Sequence, residues 1–138
     1  MRLPALAAAL AILSTSAFAA DAPNIVGTWI PVEHSGVRVG PREGYPTYAT
    51  PSLTHDVHLA WKLVIDAQDG AAFSGNNTGP SGKPKLVVGV FRMDGKRFVM
   101  ATEGGNAAGE VAGDQLEICI TDNIPDYVGA ICTIYKRQ

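Results

Sequence analysis

The sequence predicts an all-β fold, a single antiparallel up-and-down barrel of about eight strands, on three observations. Apolar residues recur at every second position through Val57, Leu59, Trp61, Leu63 and Ile65, with polar His58, Lys62 and Asp66 between them. That period of two marks a strand with one dry and one wet face. Turn residues punctuate the chain at short intervals: Asp69-Gly70, Asp94-Gly95, Gly104-Gly105-Asn106 and Gly113-Asp114. Beyond the first 19 residues, no stretch keeps a helical period. Strands joined to their sequence neighbours by short turns form a meander. A flat meander leaves two open edges that invite aggregation, and closure into a barrel removes them.

The N-terminus reads as a signal peptide rather than as part of the fold. Met1-Arg2 is a short positive start, residues 3–13 are apolar, and Ala17-Phe18-Ala19 has the small-x-small form of a cleavage site. The apolar run is too short to span a bilayer comfortably. Cutting 19 residues from 138 leaves a domain of 119, residues 20–138, and losing Arg2 moves the formal charge from −2 to −3. A periplasmic or secreted location follows, with no membrane insertion after cleavage. The acidic balance argues against a nucleic-acid binder, which needs a basic surface.

Taken in order, residues 24–32 form a first strand, interrupted by Pro31, and residues 37–39 a brief return strand. Residues 40–52 hold Pro41, Gly44, Pro46 and Pro51 and read as the longest irregular stretch, a candidate lid across one end. Residues 57–75 are the central hairpin. A three-residue loop Gln68-Asp69-Gly70 sets Ile65 opposite Phe73 on the dry face. Residues 75–84 are a surface loop, and 85–91 and 97–102 are strands around Met93-Asp94-Gly95. A two-residue Asp94-Gly95 turn is the competing register there, and it flips the inward set. Residues 107–112, 115–121 and 129–136 complete the strands, the last two around a loop at 122–128 that holds Pro125.

Two cysteines remain, Cys119 and Cys132, without CxxC spacing. In an oxidising compartment an isolated pair forms a disulfide. Setting Cys119 opposite Cys132 also sets Ile120 opposite Ile131, Ile118 opposite Thr133 and Leu116 opposite Tyr135, a mostly apolar face. One register serves the bridge and the alternation together. It puts the bridge on the outer or rim face, where closing so short a loop contributes roughly 3 kcal/mol in the chain-entropy model.

Gly27-Thr28-Trp29 at the head of the first strand, with Lys136-Arg137 ending the last, resembles the calycin pattern of lipocalins and avidin-like proteins. Residues 64–70 with Phe73 and Gly75 also look like the second hairpin of exported, avidin-like bacterial proteins of unassigned function. The resemblance implies a barrel opened by the Gly-x-Trp strand. It further implies a basic side chain, Lys136 or Arg137, packed over a buried Trp29. Biotin-binding avidins carry a polar Asn/Ser/Tyr cluster in the first hairpin and several pocket tryptophans. Here Trp29 is followed by Ile30-Pro31-Val32-Glu33, and only Trp61 remains as a second tryptophan. The likeness therefore implies the barrel and not that ligand.

No catalytic residue, cofactor or metal site is assigned. His34, His55, His58 and Asp56 invite a zinc reading, but His55 and His58 point to opposite faces of a strand, and zinc needs three or four converging ligands. Residues 79–84 lack the first glycine of a P-loop and carry Pro84 after the lysine. There is no Gly-x-Ser-x-Gly elbow. Glu103 and Glu110 are a carboxylate pair placed to flank a mouth, or else solvated hairpin ends. Trp61, Leu63, Phe73, Thr133 and Tyr135 are the candidate ligand-binding residues: inside a barrel they form apolar walls with a few polar groups, or plain core. The expected function is binding of a small apolar or amphipathic molecule in the open end of the barrel. The rivals are a periplasmic inhibitor or protein-interaction module acting through its rim loops, and a barrel enzyme of isomerase or cyclase type using Glu103 or His58.

Overall fold

The structure, a computed structural model, describes residues 21–42, 46–56, 60–103 and 105–138. The expected signal peptide, Val57 and Leu59 of the alternating run, and His58 lie outside the described residues.

Among the described residues nine strands follow in order: β1 (Gly27–Gly40), β2 (Tyr48–Asp56), β3 (Lys62–Asp69), β4 (Ala72–Thr78), β5 (Pro84–Phe91), β6 (Arg97–Thr102), β7 (Gly105–Ala112), β8 (Gln115–Ile124) and β9 (Tyr127–Arg137). All pairings are antiparallel, and β1 pairs with β9 to close an eight-stranded ring in which β2 is the extra strand. The long β1 explains the count. One of its edges carries β9 from Trp29–Arg137 to Val39–Val128. The other edge is divided, with β3 beside Gly27 to Trp29 and β2 beside His34 to Gly40. The predicted up-and-down barrel is therefore the observed one, with one strand beyond the ring of eight. The β8–β9 register is the predicted one at all four pairs, and the Cys119–Cys132 disulfide is formed.

Several local expectations are corrected, among them the surface loop at 75–84, which shortens to 79–83 because β4 runs to Thr78 and β5 starts at Pro84. First, Pro31 does not end the first strand. A bulge at Val32 absorbs one residue, with Pro31 opposite Tyr135 and Glu33 opposite Ile134, and β1 continues so that residues 37–39 are no return strand. The bulge changes which positions face inward, from Trp29 and Pro31 to His34, Gly36 and Arg38. Second, the irregular stretch expected over 40–52 does not reach its expected end, because Tyr48–Asp56 is a strand. Pro51 is tolerated there because β2 pairs only with β1 among the described residues, and an edge strand can spare an N–H.

Third, Ile65 faces Gly75, while Phe73 faces Gln68. A bulge between Ile65 and Ala67 and a tighter turn, with Asp69 opposite Ala72, replace the three-residue loop. Ile65 and Phe73 both stay buried, and Gln68 reaches the chain before β1. Fourth, the loop at 122–128 shrinks to Pro125-Asp126, with Ile124 opposite Tyr127. At the β5–β6 turn, Phe91 faces Phe98, the register of the two-residue Asp94-Gly95 alternative. Asp94 fastens that turn. The backbone N–H groups of Arg97 and Lys96, with the Arg97 guanidinium, hold its carboxyl well below the usual carboxylate range.

The core fills one half of the barrel. Phe73, Phe91 and Phe98 meet at centroid separations of 5.5–5.7 Å, and Ile25, Leu63, Ile65, Val87, Leu116, Ile118 and Tyr135 pack around them. The end where β1 begins is closed. Trp29 is buried and its indole N–H donates to the Ile25 carbonyl at 2.9 Å. Gln68 accepts from the Ile25 N–H at 2.9 Å and donates to the Pro23 carbonyl at 3.1 Å, strapping the chain before β1 across the opening. Arg137 lies with its guanidinium carbon 4.6 Å from the Trp29 ring centroid and donates to the carbonyls of Val26 and Asn24. Lys136 is exposed and pairs with Ile30 in the ladder. Of the two basic residues, Arg137 is thus the one over the tryptophan.

Candidate functional site

The opposite end is built from different residues. β1 brings His34 and Arg38 there, β4 brings Asn77, β5 Lys85, β8 Asp122, and β9 Tyr127 and Thr133. His34 is buried, with Nδ1 3.1 Å from Thr133 Oγ1 and its ring edge-on to Trp61 at 5.2 Å. Trp61 is buried but stands outside the main hydrophobic cluster, beside Gly79 of the β4–β5 connection. It marks the boundary between the packed half and the polar half.

The rim is organised by the end of β1. Gly40 has φ 95, and a Cβ there would lie 1.8 Å from the Asp126 carbonyl oxygen. Only glycine lets β1 press against the β8–β9 turn in that conformation. The bend directs Arg42 inward over the Tyr127 ring, 5.1 Å from its centroid, to an ion pair with Asp122 Oδ2 at 3.0 Å. Arg38 lies 5.4 Å from the Tyr48 ring centroid on the neighbouring β2. Asp122 is buried, and burial pushes its carboxyl up, opposed by Arg42 and then by Lys85. Tyr127 is likewise pushed up by burial and by the Asp122 carboxylate. Two buried oxygens, Asn77 Oδ1 and Asp122 Oδ1, have no hydrogen-bond partner among the described residues. Unsatisfied buried acceptors are uncommon, because each carries its desolvation cost uncompensated. Above this layer a cleft of about 670 Å³ opens, lined by Arg42, Lys85, Glu103, Gly105, Asn106 and Ile124 among others.

The five candidate ligand-binding residues are all buried, but they divide. Leu63, Phe73 and Tyr135 belong to the hydrophobic cluster. Trp61 and Thr133 are brought together around His34 at the base of the polar half. Glu103 and Glu110 do not flank one mouth: Glu103 lines the rim cleft, whereas Glu110 lies near the far end of β7 opposite Arg97. His34 and His55 are separated by the sheet, His34 inside against Thr133 and His55 outside with Nδ1 3.0 Å from Ser35 Oγ. The grouping of Glu117 with Cys119 and Cys132 spends both sulfurs in the disulfide.

The sequence reading missed Arg38, Arg42, Asn77, Lys85, Asp122 and Tyr127. Asp122 was within reach, since it follows Leu116, Ile118 and Ile120 at every second position on the inward face of β8. Arg38 was hidden by the bulge at Val32, which reverses the parity of everything after it.

Fold and site together define a closed eight-stranded antiparallel barrel with one extra strand, plugged at one end and polar at the other, consistent with a calycin-like fold. Comparison with family models, with curated proteins and with solved structures finds no match to this chain.

Proposed function

We propose that this chain is an exported, avidin-like barrel that binds a small apolar or amphipathic ligand at its polar end. The observation that carries this reading is the unequal division of the interior. One half is close-packed aromatic and aliphatic core. The other places His34, Thr133, Asn77 and Asp122 inside the wall, two of their oxygens without partners. Packing alone does not call for buried polar groups at this density, whereas ligand sites combine apolar walls with a few fixed polar groups. Trp61 and Thr133 form the floor of the site, and Leu63, Phe73 and Tyr135 support it from the core. Export is supported by the N-terminal sequence and by the disulfide, which suits an oxidising compartment. The avidin-like part rests on Gly27-Thr28-Trp29 and on Arg137 over the Trp29 ring.

Trp61 is the natural reporter, and Trp29→Phe leaves it as the only tryptophan in the chain. A screen of small amphiphiles against that variant is expected to find compounds that shift Trp61 emission saturably. Trp61→Ala, assayed by calorimetry with the same compounds, should weaken binding more than any substitution in residues 46–56. Binding that survives Trp61→Ala unchanged would move the site elsewhere and overturn the reading.

A further inference from the structure

The charges at the rim say more about the ligand than the apolar floor does. Although the chain is acidic overall, two cations, Arg42 and Lys85, line the rim cleft. Arg38 stands one strand away, near enough to Tyr127 to influence its titration. Facing them are two carboxylates. Glu103 is exposed and accepts the Leu86 N–H at 3.4 Å. Asp122 is buried and takes Arg42 through a single nitrogen. A guanidinium has five N–H donors in a planar fork, so one oxygen contact among the described residues leaves donors to spare. Lys85 forms no ion pair with any described residue. Asn106 and Asn123 add neutral amides to the same cleft. The Arg42–Asp122 pair is poorly matched on the acid side: one carboxylate oxygen is buried without a partner beside Gly105, where a Cβ would lie 2.1 Å from it.

Resting on the proposed ligand site, we infer that the ligand carries an anionic head group, a carboxylate, sulfonate or phosphate, seated in the rim cleft between Arg42 and Lys85, and that Asp122 is the internal anion that holds Arg42 in place until the ligand arrives. The two anions then compete for one guanidinium. When the ligand takes Arg42, the Asp122 carboxylate loses its ion-pair partner inside a poorly solvated wall. It does best there as the neutral acid, so binding is coupled to proton uptake from water at Asp122. Burial already favours that protonated form. The charged or titratable groups facing Asp122 are Arg42 from the end of β1, Lys85 from β5 and Tyr127 from β9. Its register neighbour on β9 is Gly129, which carries no charge. Asp126 lies in the adjacent turn, and His34 lies deeper in the wall.

Three probes of equal chain length separate this inference from the reading beneath it: octanesulfonate, octanol and octylammonium, titrated into the Trp29→Phe protein with Trp61 emission as readout. Octanesulfonate does not titrate in the working range, so any pH dependence belongs to the protein. It is expected to bind at least about tenfold more tightly than octanol, the scale of one charge-assisted contact, and octylammonium not at all. Its affinity should rise as pH falls towards the carboxylate range. Lys85→Ala and Arg42→Ala should each lower octanesulfonate affinity about tenfold and narrow its margin over octanol. Asp122→Asn should tighten octanesulfonate binding and flatten its pH dependence. Equal affinity for octanol and octanesulfonate, or weaker sulfonate binding in Asp122→Asn, would overturn the anion inference and leave the ligand-binding barrel standing. No Trp61 response to any of the three would overturn both.

Discussion

Replacing Trp29 with alanine is expected to cost about 3–5 kcal/mol of unfolding free energy, the range for deleting a large buried aromatic. The residue is 1% exposed. It joins three parts of the plug: β1 by its backbone, the preceding chain through its indole N–H to Ile25, and the last strand through the Arg137 guanidinium. Arg137→Ala should cost less. It removes a stacked cation contributing about 1 kcal/mol and leaves the ring buried. Urea unfolding of both variants checks the ranking. A Trp29→Ala protein melting within a few degrees of wild type would show that the closed end is not where the barrel is fastened.

Gly89→Ala is the second large effect. Gly89 faces Phe73 across β4–β5, and the phenylalanine ring lies over it so closely that a Cβ would meet ring carbons at 2.2 to 2.8 Å. The ring cannot retreat freely, since Phe91 and Phe98 pack against it. Overpacking of this kind costs about 1–3 kcal/mol and sometimes more. Only side-chain atoms are among the nearest contacts, so shrinking the ring makes room: Phe73→Leu with Gly89→Ala should be far less destabilised than the sum of the single variants. Gly109 is the control. There a Cβ meets the Phe98 ring at 2.3 Å and also the Glu117 backbone oxygen at 2.6 Å, so Phe98→Leu should rescue Gly109→Ala only in part. Additive losses for Gly89 and Phe73 in thermal unfolding would contradict the packing described.

The same pairs show how much of this fold was legible in the sequence. The β8–β9 register was readable because two independent constraints, the cysteine pair and the apolar alternation, agree on it. Buried odd positions Trp61, Leu63 and Ile65 were readable from their period of two. The bulges at Val32 and Asp66 were not. A bulge inserts one residue without a residue type that announces it, and it reverses the inward set downstream. That is why Gln68 emerged as a strap and Arg38 as an inward-side cation only in three dimensions. Strand length was also under-read at 48–56, where Pro51 argues for a loop unless the strand is known to lie at an edge.

The candidate site was legible in half. Trp61 and Thr133 could be named because a strand pattern puts them inside. The cations and the buried carboxylate that give the rim its chemistry come from three different strands and one bend, and nothing local in the sequence links Arg42 to Asp122. Their meeting depends on Gly40 and on the closure of β1 against β9, both long-range facts. The outer wall holds a separate feature, the exposed apolar side chains Val88, Val90 and Val99 on β5 and β6, which stands apart from the polar end.

The most direct test of the account is amide-resolved NMR of the protein titrated with the tightest amphiphile from the Trp61 screen. Ligand seated at the polar end should shift the amides of His34, Asp122, Gly129 and Thr133. It should leave those of Ile65, Phe98 and Leu116 in the packed half in place. Shifts confined to Val88, Val90 and Val99 would contradict it, placing the binding surface on the outside of the barrel.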